Sequence, residues 1–255
     1  MSLQISVVTA VMNRAETLGD ALRSVQGQKW RNIEHIVIDG GSTDGSRDIL
    51  QANRDQIAKL VSEPDHGLYD ALNKGIAAAT GDVIGFMHAD DEYASPYTLD
   101  RVASAFEDPS VEAVYGDLVY VSKKDPSRVV RYWQAGRYRR EHLEQGWMPP
   151  HPTFYVRREV YARLGAFDTR FRIAADYEHM LRLLWRGRVH AAYVPEVLVR
   201  MRTGGASNMS LFNILTKSRE DYAAMRQNGI GGLQTLLLKN VTKLPQFVVR
   251  VAAAH

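Results

Sequence analysis

Over the first hundred residues, short apolar runs alternate with stretches in which apolar residues recur every three or four positions. Ile5–Thr9, Ile33–Ile38, Ala58–Val61 and Val83–Met87 lack regular polar alternation, the pattern of strands buried on both faces. The intervening stretches predict helices. Ala15–Gln28 has its face at Leu18, Ala21, Leu22 and Val25; Ser46–Asn53 follows. Leu68–Ala79 puts Leu68, Ala71, Leu72 and Ile76 on one face and stops at Thr80-Gly81. Ser95-Pro96 reads as the N-cap and first residue of a helix to Phe106. Such alternation predicts an α/β fold of parallel βαβ units with right-handed crossovers.

The second half is less regular. Val114–Val121, Val129–Trp133, Thr153–Val156 and Val189–Arg200 carry strand signals, and Met148 to Pro152 is a stiff proline loop. Asp176–Arg186, Asn208–Asn228 and Leu233–Val251 read as helices, the last interrupted at Pro245.

Composition narrows the classes. Hydrophobic residues make up 45% and charged residues 24%, the profile of a folded soluble chain. The absence of cysteine excludes disulfides and thiolate metal sites. Met1-Ser2-Leu3-Gln4 has no basic start or cleavage site, and no apolar run reaches the roughly 18 residues of a membrane span. The expected location is the cytoplasm. A net charge of +3 is too small to point to nucleic acid. The charge is uneven, however: Arg128, Arg131, Arg137, Arg139 and Arg140 cluster mid-chain, and Lys239, Lys243 and Arg250 mark the C-terminus. There, apolar Leu236, Leu237, Leu244, Phe247, Val248 and Val251 mix with the basic residues. Two readings stay open: a segment lying on an anionic lipid surface, at the inner face of the membrane, or a terminal helix packed on the domain.

Ligands of open α/β sheets sit beyond the carboxyl ends of the strands. Four successive strand ends here carry polar residues: Thr9 to Asn13, Asp39, Glu63 to Asp65, and His88 to Asp91. The adjacent Asp90 and Asp91 repel each other, and a hard divalent cation is their natural partner. The alternative is a solvated turn in which Asp91 or Ser95 caps the next helix. Asp39-Gly40-Gly41-Ser42-Thr43-Asp44-Gly45-Ser46 is neither a P-loop nor a dinucleotide fingerprint. Its strand-terminal Asp39 can accept from a base N–H or a ribose hydroxyl, or the run is a plain βα turn. Asp65 sits near a helix start, and Asp70 and Asn73 share the next face with Gly67 and Lys74.

Taken together, Thr9-Ala10-x-x-Asn13, Asp39-Gly-Gly-Ser-Thr-Asp-Gly-Ser, Asp65-His-Gly-Leu-Tyr-Asp70-Ala-Leu-Asn73-Lys-Gly and His88-Ala89-Asp90-Asp91, in this order and spacing, resemble glycosyltransferase family 2. These are inverting enzymes of the GT-A fold. The match is close over residues 4–107 and looser to about 207. The Glu-Pro-Asp-x-Gly-Leu-Tyr-Asp run further resembles the bacterial exopolysaccharide and colanic-acid subgroup. The resemblance implies a GT-A domain over 1–207, with a nucleotide-sugar half at 1–107 and an acceptor half at 108–207, followed by a helical appendage at 208–255.

It also implies roles. In a donor site opened by the Thr9-Ala10-x-x-Asn13 motif, Thr9 and Asp39 hold nucleobase and ribose, Asp65 lies near them, and Lys74 lies nearer the phosphates. Asp90 or Asp91 supplies the metal ligand of the Asp-x-Asp motif, for Mn²⁺ or Mg²⁺. His88 stands at that motif's first position, with Ala89 between. Where some relatives complete the metal site with a His, this chain has Arg200-Met201-Arg202, so Arg200 or Arg202 would neutralise diphosphate. In Ala174-Ala175-Asp176-Tyr177-Glu178, Asp176 matches the catalytic carboxylate and Ala175 replaces a Glu; a helix cap is the alternative. His151, in the proline loop, matches a position facing the reaction centre. The implied donor is a nucleotide sugar, most commonly of UDP, and the acceptor a saccharide or lipid-linked oligosaccharide. Two other classes remain. A sugar nucleotidyltransferase usually carries a glycine-rich first loop, and Ala10-Val11-Met12-Asn13-Arg14 has no glycine. A non-catalytic nucleotide-sugar-binding module needs neither Asp176 nor the metal pair.

Overall fold

The computed structural model describes residues 2–204 and 211–241. In chain order these form β1 (Ile5–Val11), α1 (Ala15–Gln26), β2 (Ile33–Asp39), α2 (Ser46–Ala52), β3 (Lys59–Ser62), α3 (Leu68–Ala78), β4 (Val83–Phe86), β5 (Glu92–Tyr93) and α4 (Thr98–Ala105). Then come β6 (Ala113–Val121), β7 (Val129–Trp133), α5 (Arg140–Glu144), β8 (Tyr155–Arg157), α6 (Arg158–Leu164), α7 (Ala175–Leu181), β9 (Ala191–Arg202), α8 (Leu211–Gln227) and α9 (Leu233–Val241).

The strands make one sheet in the order β3-β2-β1-β4-β8-β6-β9-β5, with β7 paired to β6. The first four are mutually parallel, and β8 joins β4 antiparallel. Every residue of β1 is buried, as its unbroken apolar pattern requires. Val8 and Ala10 face one core body with α3 and α7; Val7 and Val11 face the others, with α1, α2 and α4. A Cβ on Gly75 would come within 2.2 Å of Val8 Cγ1, so this glycine lets α3 lie close on β1. From β1 the chain steps to β2 on one side and later to β4 on the other, which makes the C-terminal end of β1 the switch point and opens a crevice there. This is the α/β, GT-A-like architecture expected from the sequence.

Local departures have local causes. The helix expected from Pro96 begins at Thr98, because Ser95 and Pro96 turn their carbonyls to Gln28 and Lys29. The strand expected from Thr153 starts at Tyr155, because residues 151–153 form a tight turn in which the Thr153 hydroxyl meets the Gly116 carbonyl at 3.0 Å. The helix expected over 176–186 changes at Arg182 to a wider π-type turn ending at Arg186.

Helix α8 packs on α7 and puts Ala224 and Met225 into the same core body. On α9, Lys239 turns inward: it is 1% exposed, its Nζ lies 2.8 Å from Asp221 Oδ1, and it sits over the Tyr177 ring. Of the two open readings for this segment, the placement of Lys239 fits the terminal helix packed on the domain, since Asp221 and Tyr177 draw it into the fold. Lys243, Leu244, Phe247, Val248, Arg250 and Val251 lie outside the described residues. Among the described residues no helix is long and apolar enough to cross a membrane.

Candidate active site

The crevice floor is built by two loops bonded to each other. Asn13 takes a left-handed backbone (φ 52°), its N–H donates to Ser42 Oγ at 2.9 Å, and its Oδ1 accepts from Thr43 N–H at 2.8 Å. Arg14 N–H donates to Ser46 Oγ and Ala15 N–H to Asp44 Oδ2, both at 2.9 Å. The Ala15 amide and the Ser46 hydroxyl hold the Asp44 carboxyl down at about 2. These bonds fix the start of α1 against the start of α2 and leave the Arg14 side chain pointing across the crevice, 3.9 Å from Asp90.

Two expected base-binding side chains lie beneath this floor. Thr9 is fully buried and its hydroxyl pairs with His35 Nε2 at 3.1 Å. Asp39 is also fully buried, accepting from Ser42 N–H at 3.1 Å and from the Ser62 hydroxyl at 2.6 Å. Through these bonds the two side chains tie β1 to β2 and β2 to β3. Asp65 is the carboxylate at the surface here. It presses on Gly40 so closely that a Cβ would meet its Oδ2 at 2.2 Å, and it accepts from Gly67 N–H at 2.8 Å. Lys74 reaches Glu63 at 2.9 Å and the Pro64 carbonyl at 3.1 Å, and the bonded Glu63 holds its ammonium above the ordinary range. Asn73 exchanges two 2.9 Å bonds with the Phe167 backbone, so it joins α3 to the second half of the chain.

At the end of β4 the adjacent carboxylates part company. Asp90 is half-exposed in the crevice. Asp91 is buried, and its Oδ1 accepts from Arg202 N–H at 3.1 Å. Burial, then the neighbouring Asp90, push the Asp91 carboxyl well above the usual range. The Arg202 guanidinium is held by Asp20 and Glu92, each at 2.5 Å, and Arg200 donates to the Pro126 carbonyl at 2.5 Å. Both arginines here brace neighbouring segments: Arg202 joins α1 to β5, and Arg200 joins β9 to the loop before β7. Arg14 is the cation beside Asp90, and the sequence reading passed over it because it stood between two motif residues.

Across the crevice stands Asp176, in the first turn of α7 and half-buried. His88 stands two residues before Asp90, and its imidazole is pushed down by burial and up by the Asp90 and Asp176 carboxylates. His151 follows, its ring 5.6 Å from that of His88 and stacked on Phe86 at 5.4 Å. Burial holds His151 down at about 4, so it is neutral at pH 7. Asp90, His88, His151 and Asp176 thus come from a strand end, a tight turn and a helix start, 88 residues of sequence apart at the extremes. The loop into α7 is clamped from two sides. Tyr69 donates its hydroxyl proton to the Ile173 carbonyl at 2.9 Å. The Glu220 carboxylate of α8 accepts from the N–H groups of Arg172, Ile173 and Ala174 at 3.1, 2.8 and 2.9 Å. Tyr69 stood inside a noted motif; Glu220 carried no signal in its own neighbourhood.

The model of the family described as "Glycosyl transferase family 2" matches residues 6–165. The chain belongs to glycosyltransferase family 2. It is 36% identical over 194 residues to an uncharacterized glycosyltransferase of Mycobacterium tuberculosis, covering 70% of this chain and 68% of that one. It is 28% identical over 209 residues to a PGL/p-HBAD biosynthesis glycosyltransferase of Mycobacterium bovis, covering 80% and 78%. Among solved structures it resembles S. aureus TarS 1-349 in complex with UDP-GlcNAc (TM-score 0.67, 14% identity, 89% of this chain and 65% of that one). It also resembles the Pyrobaculum calidifontis mannosyltransferase PcManGT in complex with GDP-Man and Mn²⁺ (TM-score 0.65, 19% identity, 95% and 69%). These two likenesses show the fold.

Among the described residues no group of three or more His, Asp or Glu side chains could hold a metal ion by itself. That is compatible with a family 2 donor site. Hard divalent ions such as Mg²⁺ commonly take one or two protein carboxylates and complete their shell with water and substrate phosphate. A single half-exposed Asp90 at the crevice fits that mode; the buried Asp91 does not.

Proposed function

We propose that this family 2 glycosyltransferase acts by single displacement with inversion. It moves a sugar from a nucleotide-sugar donor, UDP-sugar favoured, to a hydroxyl of a saccharide or lipid-linked acceptor in bacterial surface-polysaccharide synthesis. The observation that carries the reading is the run of contacts from the donor-side Asp90, which Arg14 approaches at 3.9 Å, through the neighbouring His88 ring, His151 at 5.6 Å, Phe167 and Tyr69, to Asp176, 3.4 Å from the Tyr69 hydroxyl. UDP and GDP appear in the solved relatives, and the UDP-GlcNAc complex of TarS supports a uridine donor here.

In this reading Asp65 receives the nucleoside end, and Asn13 shapes the loop around it. Arg14 moves from Asp90 to the diphosphate. Asp90 is the protein ligand of a divalent cation, which when bound would supply Lewis-acid neutralisation of the departing diphosphate. The acceptor oxygen forms a bond to the anomeric carbon as that carbon's bond to the diphosphate oxygen breaks, and the leaving group takes the electron pair. The acceptor proton passes to Asp176. General-base assistance of this kind contributes about 10²–10⁴-fold. Tyr69 gives its proton to Ile173 at 2.9 Å and lies 3.4 Å from Asp176, so it orients the loop and leaves the carboxylate available. His151, neutral and buried, lines the floor between the two carboxylates.

Thermal shift with UDP, GDP and dTDP, each with Mn²⁺, tests the donor class; a ligand at 100 times its Kd stabilises by about 2.7 kcal/mol. A panel of nucleotide sugars then tests turnover. Binding without transfer or hydrolysis of any donor would favour the non-catalytic module, and release of diphosphate from a sugar phosphate plus NTP would favour a nucleotidyltransferase.

A further inference from the structure

Between Lys123 and Arg140 the chain carries seven of its 32 Lys and Arg and one acidic residue, Asp125. The whole chain is only +3, so the rest of the molecule is net acidic. This segment forms the tip of the β6–β7 hairpin, the strand β7, which among the described residues pairs only with β6, and the approach to α5. The proposed mechanism uses none of its charge.

The basic side chains are presented outward. Lys124, Arg128, Arg137 and Arg139 are exposed. None of these four has an ion pair within 4.0 Å among the described residues. Lys123 reaches Glu16 at 3.8 Å with both side chains largely in solvent. Arg140 covers the Trp185 ring at 4.0 Å, and Arg131 covers Tyr120 at 4.7 Å. Apolar Val130 stands among them, 42% exposed. The acidic neighbours are Glu16 on α1, the buried Asp117, which accepts from Tyr132, Tyr193 and the Ala135 N–H, and Glu141 and Glu144 on α5, too few to neutralise the face.

We propose that this hairpin face rests on an anionic lipid surface. Charge complementarity selects the occupant: clustered Lys and Arg at a protein surface are drawn to acidic headgroups, and an exposed valine among them can enter the interface. A single-stranded nucleic acid would call for exposed aromatic platforms, and the exposed large side chain of the segment is Val130 alone among the described residues. The face also adjoins the chemistry. Tyr120, under Arg131, pairs in the sheet with Met201, next to the Arg202 whose N–H meets Asp91 at 3.1 Å; burial pushes its hydroxyl up, Arg131 pulls it down, and Asp91 and Asp176 add to the rise. A membrane-borne acceptor would therefore arrive on the Asp176 side; this last step rests on the function proposed above, whereas the lipid contact does not.

The test is co-sedimentation of the full chain with vesicles of 30% phosphatidylglycerol in phosphatidylcholine, against pure phosphatidylcholine. Binding to the acidic vesicles alone, released at 1 M salt, is expected. The Arg128→Gln, Arg137→Gln, Arg139→Gln triple variant should bind at least about tenfold more weakly, since each basic residue near an acidic surface is worth roughly fivefold. Its melting temperature and nucleotide binding should stay at wild-type values. Equal binding to neutral vesicles, an unaltered triple variant, or capture of an RNA oligonucleotide with no vesicle binding would overturn the proposal. Vesicle binding by the wild-type chain that transfers sugar from no nucleotide-sugar donor would instead count against the proposed function.

Discussion

The hydroxyl of Tyr69 lies 3.4 Å from Oδ1 of Asp176, joining helices 107 residues apart in sequence. Its better bond, at 2.9 Å, goes to the Ile173 carbonyl. A hydroxyl has one proton, so the carboxylate keeps its lone pairs. Tyr69→Phe should therefore lower the melting temperature, by roughly the 0.5–1.5 kcal/mol of a typical hydrogen bond, and reduce kcat by less than tenfold. A variant as inactive as one lacking the carboxylate would show that Tyr69 takes part in proton transfer. Thermal melts and initial rates on the same preparation decide it.

Glu220 predicts a larger structural effect. Its carboxylate receives three backbone N–H groups in the loop before α7. Glu220→Ala leaves these donors without it, at a cost of about 1–3 kcal/mol, and lets Asp176 drift. We expect a lower kcat with unchanged donor affinity, partly restored in Glu220→Gln. Unchanged turnover in Glu220→Ala would mean that α8 merely covers α7.

The two adjacent aspartates should separate cleanly. Asp90→Asn should abolish metal-stimulated transfer while leaving the fold intact, because its side chain is half-exposed. Asp91→Asn should retain activity within a few-fold, because its amide oxygen still accepts from Arg202 N–H, the bond made at 3.1 Å. The reverse result would assign the ion to the buried residue. Metal titrations of both variants provide the check.

Acid stability follows from His35. Burial holds its ring down at about 4, below the ordinary 6.5. Between these values the unfolded chain binds a proton that the folded chain does not, so stability rises with pH. The contribution is fully present above about pH 6.5 and is lost as pH falls toward about 4. His151, also held at about 4, acts in the same direction. His35→Gln removes one of these two terms, and the stability lost between about pH 7.5 and pH 5 should shrink by on the order of 1–2 kcal/mol. Urea unfolding at the two pH values measures it; an unaltered slope would show that His35 is protonated in the fold.

The first half of the fold was legible because burial on both faces leaves β1 and β4 with no polar alternation to misread. The elements missed were β5, α5 and α6, of two, five and seven residues, too short to show a period. At the site, Asp90 and Asp176 were legible as motif residues. What the motifs could not convey was direction. Thr9 and Asp39 occupy strand ends yet turn inward to His35 and Ser62, and Arg202 is turned aside by Asp20 and Glu92. Those partners lie 23 to 182 residues away in sequence, and local pattern carries no trace of them.

The central claim is that Asp176 takes the acceptor's proton. Asp176→Asn keeps the side chain's size and its contact with the Tyr177 N–H, made at 2.8 Å, while removing the base. Calorimetry of nucleotide-sugar binding and the transfer rate are to be measured on one preparation. The account predicts unchanged donor affinity and a rate lowered by about 10²–10⁴-fold. Transfer near the wild-type rate would contradict it and move the role to another group, His151 first.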